Sequence, residues 1–302
     1  MDRSKIEKMI SANKPNIAKS TLKSYGATIV SICKEIDLKT VDEAIKHFNS
    51  SPKKIIFIFH DKPASRIKNI MTALIAFCDN KKAIEAYRKV LMENGKTIDD
   101  NEEKQEKSGK QEENWESWDQ VLKVYDQLKE EAQPLFKRDS YTQASMKMLL
   151  QYIILSMYVL IPPRRIADYQ NFKIANIDKE KDNYFDEAKK QLVFNQYKTS
   201  KHYGQQTVDA PKELVDLLHK WMPVAKRYSD YLVFNSYGKG LSQPQITKLI
   251  NSIFGKNISA SMLRHIYVSD VVLKDVPKRT ELEKIASDMG QSVEQQAMYK
   301  KF

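Results

Sequence analysis

Four side chains in the C-terminal half of this chain are of the types that phosphodiester chemistry needs. They are Arg165 in PPRRIADY, Lys198 in NQYKTSKHYGQQ, Arg264 in SASMLRHIYVSD and Tyr299 in MGQSVEQQAMYKKF. Two guanidiniums can present fixed forks of N–H donors to the non-bridging oxygens of a phosphodiester, where charge grows as a five-coordinate transition state forms. A lysine at the same phosphorus can protonate the departing sugar oxygen. A phenol, with an ordinary pKa of about 10, can attack the phosphorus if nearby cations favour its ionised form. This set needs neither a metal nor a cofactor, and none is expected.

Each residue also has a plainer reading. Arg164 and Arg165 could do no more than complement the dipole of a helix end. Lys201 rivals Lys198, and either could be a surface lysine. Arg264 interrupts an apolar helix face beside Leu263, where an unpaired buried guanidinium would be costly, so an anion or an acidic partner is expected there. Tyr299 is one of fifteen tyrosines.

The elements that would position these residues are mostly helical. Leu22, Tyr25, Ile29, Ile32 and Ile36 recur at helical spacing after a cap at Ser20. A second strong helix begins near Pro63 and carries Ile67, Ile70, Met71, Leu74, Ile75 and Cys78 on one side. Val41–Phe48 and Lys54–Phe59 fit between them, with Ile55–Phe59 too apolar to distinguish helix from strand. From residue 95 to 114 the sequence turns polar, which predicts a flexible linker spanning roughly 25 Å. Beyond it come an amphipathic stretch with Trp118, Val121, Leu122, Tyr125 and Leu128, and a buried helix over 141–161 that Pro162–Pro163 must end. Short β segments are expected at 184–185, 191–197, 205–210 and 231–234. Helices follow at 212–222, 243–254, 259–273 and 279–289, with a final piece ending at Tyr299.

Charge divides the 302 residues in the same places. Residues 1–94 carry 18 basic and 10 acidic side chains, 95–140 carry 8 and 13, and 141–302 carry 24 and 16. Two basic bodies flank an acidic segment, and the net charge of +11 favours a polyanionic partner. Cys33 and Cys78 both lie in apolar periodic stretches, so neither a disulfide framework nor a Cys/His zinc pattern is expected. A reducing compartment is the expected home. Met1–Lys14 lacks the apolar core of a secretory signal, and the most apolar run, 148–161, is short of the ~18 residues that span a bilayer.

The four chemical points and their order resemble the tyrosine recombinase (phage integrase) family, whose catalytic domain is related to type IB topoisomerases. Arg165-Ile166-Ala167-Asp168 resembles the first arginine box, in which an acidic residue three positions on helps to hold the arginine. Lys198–Thr199 resembles the sheet lysine, and Met262-Leu263-Arg264-His265 the second arginine box. Met289-Gly290-Gln291-Ser292 with Tyr299 resembles the box carrying the nucleophile. The resemblance covers residues from about 115 to 302 at motif level.

The resemblance implies a mainly α protein. A helical DNA-clamping domain (1–94) and a polar linker (95–114) would precede an α-rich catalytic domain (115–302) with a small antiparallel sheet. It implies double-stranded DNA as partner, a homo-oligomer (tetramer) on DNA and an intracellular, DNA-associated location. It also implies strand breakage and rejoining through a 3′-phosphotyrosyl intermediate at Tyr299. Arg165 and Arg264 would hold the phosphate, Lys198 would act as general acid, and Asp168 and His265 would support them from behind. Lys19, Lys23, Lys62, Arg66, Lys68 and Lys201 are the candidate DNA-contacting cations.

Two positions depart from the family pattern. Ser261 stands where the family usually has His, and Gln291 where it usually has His or Trp. Both can hydrogen-bond a phosphate, but neither is a good proton carrier at neutral pH. Loss of a positioned general base costs about 10²–10⁴-fold in rate. Ser259 or Ser261 could equally cap the helix. Two alternatives therefore stand beside site-specific recombination: DNA relaxation of the type IB topoisomerase kind, and a catalytically weakened DNA-binding protein of the same fold.

Overall fold

The structure, a computed structural model, describes residues 1–289 and 292–294, apart from the side chains of 100–102. The chain divides into two compact units. One comprises residues 1–106 with the described residues from Pro277 onward, and the other residues 107–276. Among the described residues no helix is long and apolar enough to cross a membrane.

The first unit is all helical, built from α1 (Arg3–Asn13), α2 (Lys19–Glu35), α3 (Val41–Ser50), α4 (Pro52–Ile58), α5 (Ala64–Phe77) and α6 (Lys81–Glu103). Thr40 and Glu43 form a reciprocal capping box at the start of α3, and Pro52 sits in the first turn of α4, where its missing N–H costs nothing. The apolar stripes read from the sequence close on one core that includes Ile29, Ile32, Phe48, Ile70, Leu74, Phe77 and Tyr87. The Tyr87 hydroxyl donates to the Phe48 carbonyl at 2.8 Å. Burial pushes the Cys33 thiol up to about 11 and the Cys78 thiol up to about 12, so neither is a nucleophile at neutral pH.

Three readings change here. The ambiguous Ile55–Phe59 run forms the end of helix α4, with Phe59 as its C-cap. Helix α2 begins at Lys19 after Ala18, so Ser20 is not its cap. The polar stretch expected to be a flexible linker is largely helical, because α6 runs on to Glu103 and α7 (Gly109–Asn114) follows behind a Ser108–Gln111 capping box. Glu, Lys and Gln are good helix formers, so polarity marked this stretch as solvated without making it coil.

The second unit continues with α8 (Trp118–Ala132), a 3₁₀ turn at Gln133–Lys137, α9 (Gln143–Val159) and α10 (Ile166–Gln170). Then come β1 (Phe172–Lys173), β2 (Asn183–Asp186), β3 (Gln191–Phe194), α11 (Ser200–Tyr203) and β4 (Gln206–Asp209). Helices α12 (Lys212–Ala225), α13 (Gln243–Phe254) and α14 (Ala260–Tyr267) complete it, α14 running into a π-helical turn at Val268–Val272. Helix α9 is buried almost all round, with Leu149, Tyr152, Ile153, Ile154, Leu155, Met157 and Tyr158 in the core, as a helix without a polar face must be. Trp221 of α12 donates its indole N–H to the Leu232 carbonyl at 2.9 Å.

The sheet has the order β1-β2-β3-β4. It is mixed rather than antiparallel: β3 pairs antiparallel with both β2 and β4, while β1 runs parallel to β2, with Phe172 opposite Asn183. The expected strand at 231–234 forms only isolated bridges, Lys173 with Tyr231 and Phe234 with Gly240, so no two successive residues share one partner strand. Strand β3 stops at Phe194 because the next two amides, of Asn195 and Gln196, donate to the side-chain oxygen of Asn183, at 2.8 and 2.7 Å. The last described helix, α15 (Arg279–Asp288), belongs with the first unit. The Arg279 amide donates to the Gln105 side chain at 2.8 Å.

Candidate functional site

Helix α9 gives way at Leu160, and Pro162–Pro163 lead the chain to Arg165, whose extended backbone (φ −69°, ψ 148°) caps the start of α10. The two consecutive arginines diverge. Arg164 turns in, its side chain 17% exposed, and its Nε donates to Asp168 Oδ2 at 2.9 Å. Its Nη2 donates to Gln206 Oε1 on β4 at 3.0 Å, and the guanidinium lies 4.0 Å above the Phe194 ring and 5.5 Å from the Tyr197 ring. Arg165 is exposed and makes no side-chain hydrogen bond or ion pair with the described residues.

The two arginines and the buried carboxylate line an open cleft of about 320 Å³, with Thr199, Gln206 and Arg264 on its other sides. Arg264 comes from α14, half-buried between the fully buried Leu263 and the exposed His265. Like Arg165, it has no side-chain hydrogen-bond or ion-pair partner among the described residues. Tyr197 and the exposed Tyr203 also border the cleft. The Tyr197 hydroxyl donates to the Gly204 carbonyl at 2.8 Å, and Gly204, at φ 65°, ends α11 in a conformation that glycine adopts without strain.

Asp168 is the electrostatic pivot. Burial pushes its carboxyl above the ordinary value, against the opposing pull of Arg164 and then of Arg165 and Arg264. Its Oδ1 and the hydroxyl of Tyr158 are buried without a hydrogen-bond partner among the described residues. Burial also holds the Tyr158 phenol well above its ordinary value. The backbone around Asp168 is fixed by Asn183, whose side-chain amide donates to the Asp168 and Gln196 carbonyls, both at 2.8 Å. One buried amide thus joins α10 to the hairpin carrying the far wall of the cleft.

The structure brings together Arg165, Arg264 and Asp168 and leaves other candidates outside the cleft. The resemblance pairs Asp168 with Arg165, whereas the carboxylate is bonded by Arg164. Lys198 is exposed just past Tyr197 and does not line the cleft, and Lys201 is exposed on α11. Ser261 and His265 are exposed on α14, also off the cleft lining, and the helix is capped by Ser259, which accepts from the Met262 amide at 3.2 Å. Gln291 and Tyr299 lie outside the described residues. Of the cations proposed on the first unit, Lys19, Lys23 and Lys68 are exposed. Lys62 pairs with Glu35 at 2.7 Å, and Arg66 lies 3.9 Å from the same carboxylate and donates to Ser31 at 3.1 Å.

Sequence reasoning gave Arg164 only a helix-end role, took Thr199 only as the neighbour of Lys198, and passed over Gln206. Arg164 had a usable signal, since it stands four residues before Asp168, the spacing at which helical side chains meet. Gln206 had none, because only the fold brings β4 to this cleft. Among the described residues no cluster of His, Cys, Asp and Glu is arranged to hold a metal ion.

No family model matches the chain, and no curated protein matches it in sequence. Among solved structures it is similar to one described as the crystal structure of XerA recombinase. The TM-score is 0.38 with 13% identity, over 100% of this chain and 94% of that one.

Proposed function

We propose that this chain binds double-stranded DNA and breaks and rejoins its strands through a 3′-phosphotyrosyl link at Tyr299. The observation that carries the reading is the cleft, where Arg165 and Arg264, from distant segments, face one open cavity with uncommitted guanidiniums. An attack on a phosphodiester requires such an anion pocket. The Tyr299 oxygen bonds to phosphorus and its proton passes to solvent. The bond from phosphorus to the 5′ oxygen breaks, and Lys198 protonates that oxygen as it leaves. Gln291 hydrogen-bonds the phosphate. The link retains the phosphodiester energy, so a 5′-hydroxyl can reverse the step without ATP. Four protomers assembled on paired sites would then exchange strands.

Incubation with a nicked suicide DNA substrate tests this. The expected result is an SDS-resistant protein–DNA adduct that Tyr299→Phe abolishes while leaving binding intact. Intact binding with no adduct from the unaltered chain overturns strand breakage and leaves a DNA-binding protein, a reading favoured by the exposure of Lys198 and Ser261 off the cleft. Relaxation by a monomer of a plasmid lacking any specific site would instead mark topoisomerase-like activity.

A further inference from the structure

We propose that Arg164 is a positioning residue whose task is to occupy Asp168, so that Arg165 and Arg264 stay available for a phosphate. This rests on the reading of the cleft as a phosphodiester site. Three guanidiniums line the cavity around one buried carboxylate, and a carboxylate so placed must have a cationic partner. Arg164 is built to be that partner. Its Nε is on Oδ2, its Nη2 is tied to Gln206 on β4, and its guanidinium lies over the Phe194 ring. These contacts use its charge and its face, and leave it as an element of the cleft wall. Arg165 stands three residues before Asp168, within helical reach of it, and Arg264 faces it from α14. Tyr158 of α9 and Tyr169 of α10 are the phenols beside it, both held neutral by burial. If Arg164 is taken away, the buried Oδ1 and Oδ2 are left for Arg165 or Arg264, and a phosphate ligand is lost to an internal ion pair.

The capture mechanism predicts a rescue that neither loss of fold nor loss of a direct phosphate contact would show. Duplex binding is followed by fluorescence anisotropy across a salt series, with thermal melting as a check that each variant is folded. Arg164→Gln should weaken duplex binding roughly tenfold and make its salt dependence shallower by about 0.9 in log K against log salt, the amount expected for one phosphate contact. Adding Asp168→Asn should restore both, because no carboxylate remains to capture the second arginine. Arg165→Ala should lose the same contact, and Asp168→Asn should not restore it. A double variant Arg164→Gln/Asp168→Asn that is folded and still as weak as Arg164→Gln overturns the proposal. An Arg164→Gln variant with wild-type slope does so too. The binding assay needs no strand cleavage, so failure of strand breakage and failure of this division of labour are read separately.

Discussion

Lys62–Glu35 in the first unit and Arg164–Asp168 in the second are ion pairs of nearly equal length, 2.7 and 2.9 Å, and differ in everything around them. The first pair is over a third exposed on both sides, at 38% and 36%, and its lysine shares the carboxylate with Arg66. Water and salt screen such a pair, and either partner is readily replaced by solvent. The second pair is 17% and 3% exposed, its carboxylate has one unbonded oxygen, and its guanidinium is also fixed by an amide and a ring. There the burial of charge is costly, and removal of one partner leaves the other stranded. Basic residues of the first unit can turn to a polyanion at little cost, whereas Arg164 is committed to the fold.

The largest effect that would break this comparison is on stability. Arg164→Ala should lower the unfolding free energy of the second unit by about 3 kcal/mol in urea denaturation, with Asp168→Asn recovering much of it. An unchanged midpoint would mean that the pair is no more valuable than a surface one. A smaller effect is the pH dependence carried by Asp168. Its folded-state pKa is raised, so its stabilising contribution is fully present below the unfolded value near 3.9 and is lost as pH rises through the folded value. Between those two values the wild type should gain stability relative to Asp168→Asn as pH falls, by at most about 1.4 kcal/mol per pH unit. Parallel stability curves for the two proteins would refute it. Smallest of all, Lys62→Ala should leave the urea midpoint of the first unit unmoved, and a clear drop would show that Lys62 carries a structural load its exposure hides.

Much of the fold was legible because helices announce themselves through periodicity. The stripes Leu22–Ile36 and Ile67–Cys78, the stop at Pro162–Pro163 and the start of α13 at Gln243 follow from local sequence alone. The 95–114 stretch misled because composition reports solvation, while backbone conformation there follows helix propensity and caps. The sheet was less legible. A two-residue strand such as β1 has no pattern of its own and exists only through distant partners, Asn183 and Tyr184 on one side and Tyr231 and Leu232 on the other.

The order and types of Arg165, Lys198, Arg264 and Tyr299 belong to the sequence by itself, as do the basic balance of both bodies and the helical character of the chain. These are properties of residue type and spacing, which no tertiary contact is needed to express. Which of two adjacent arginines is left exposed at the open cleft and which is bound into its wall was decided only by tertiary structure. Arg164 and Arg165 are the same chemistry one residue apart, and they part company because Asp168, Phe194 and Gln206 converge from α10 and two strands to claim the first and leave the second facing the cleft.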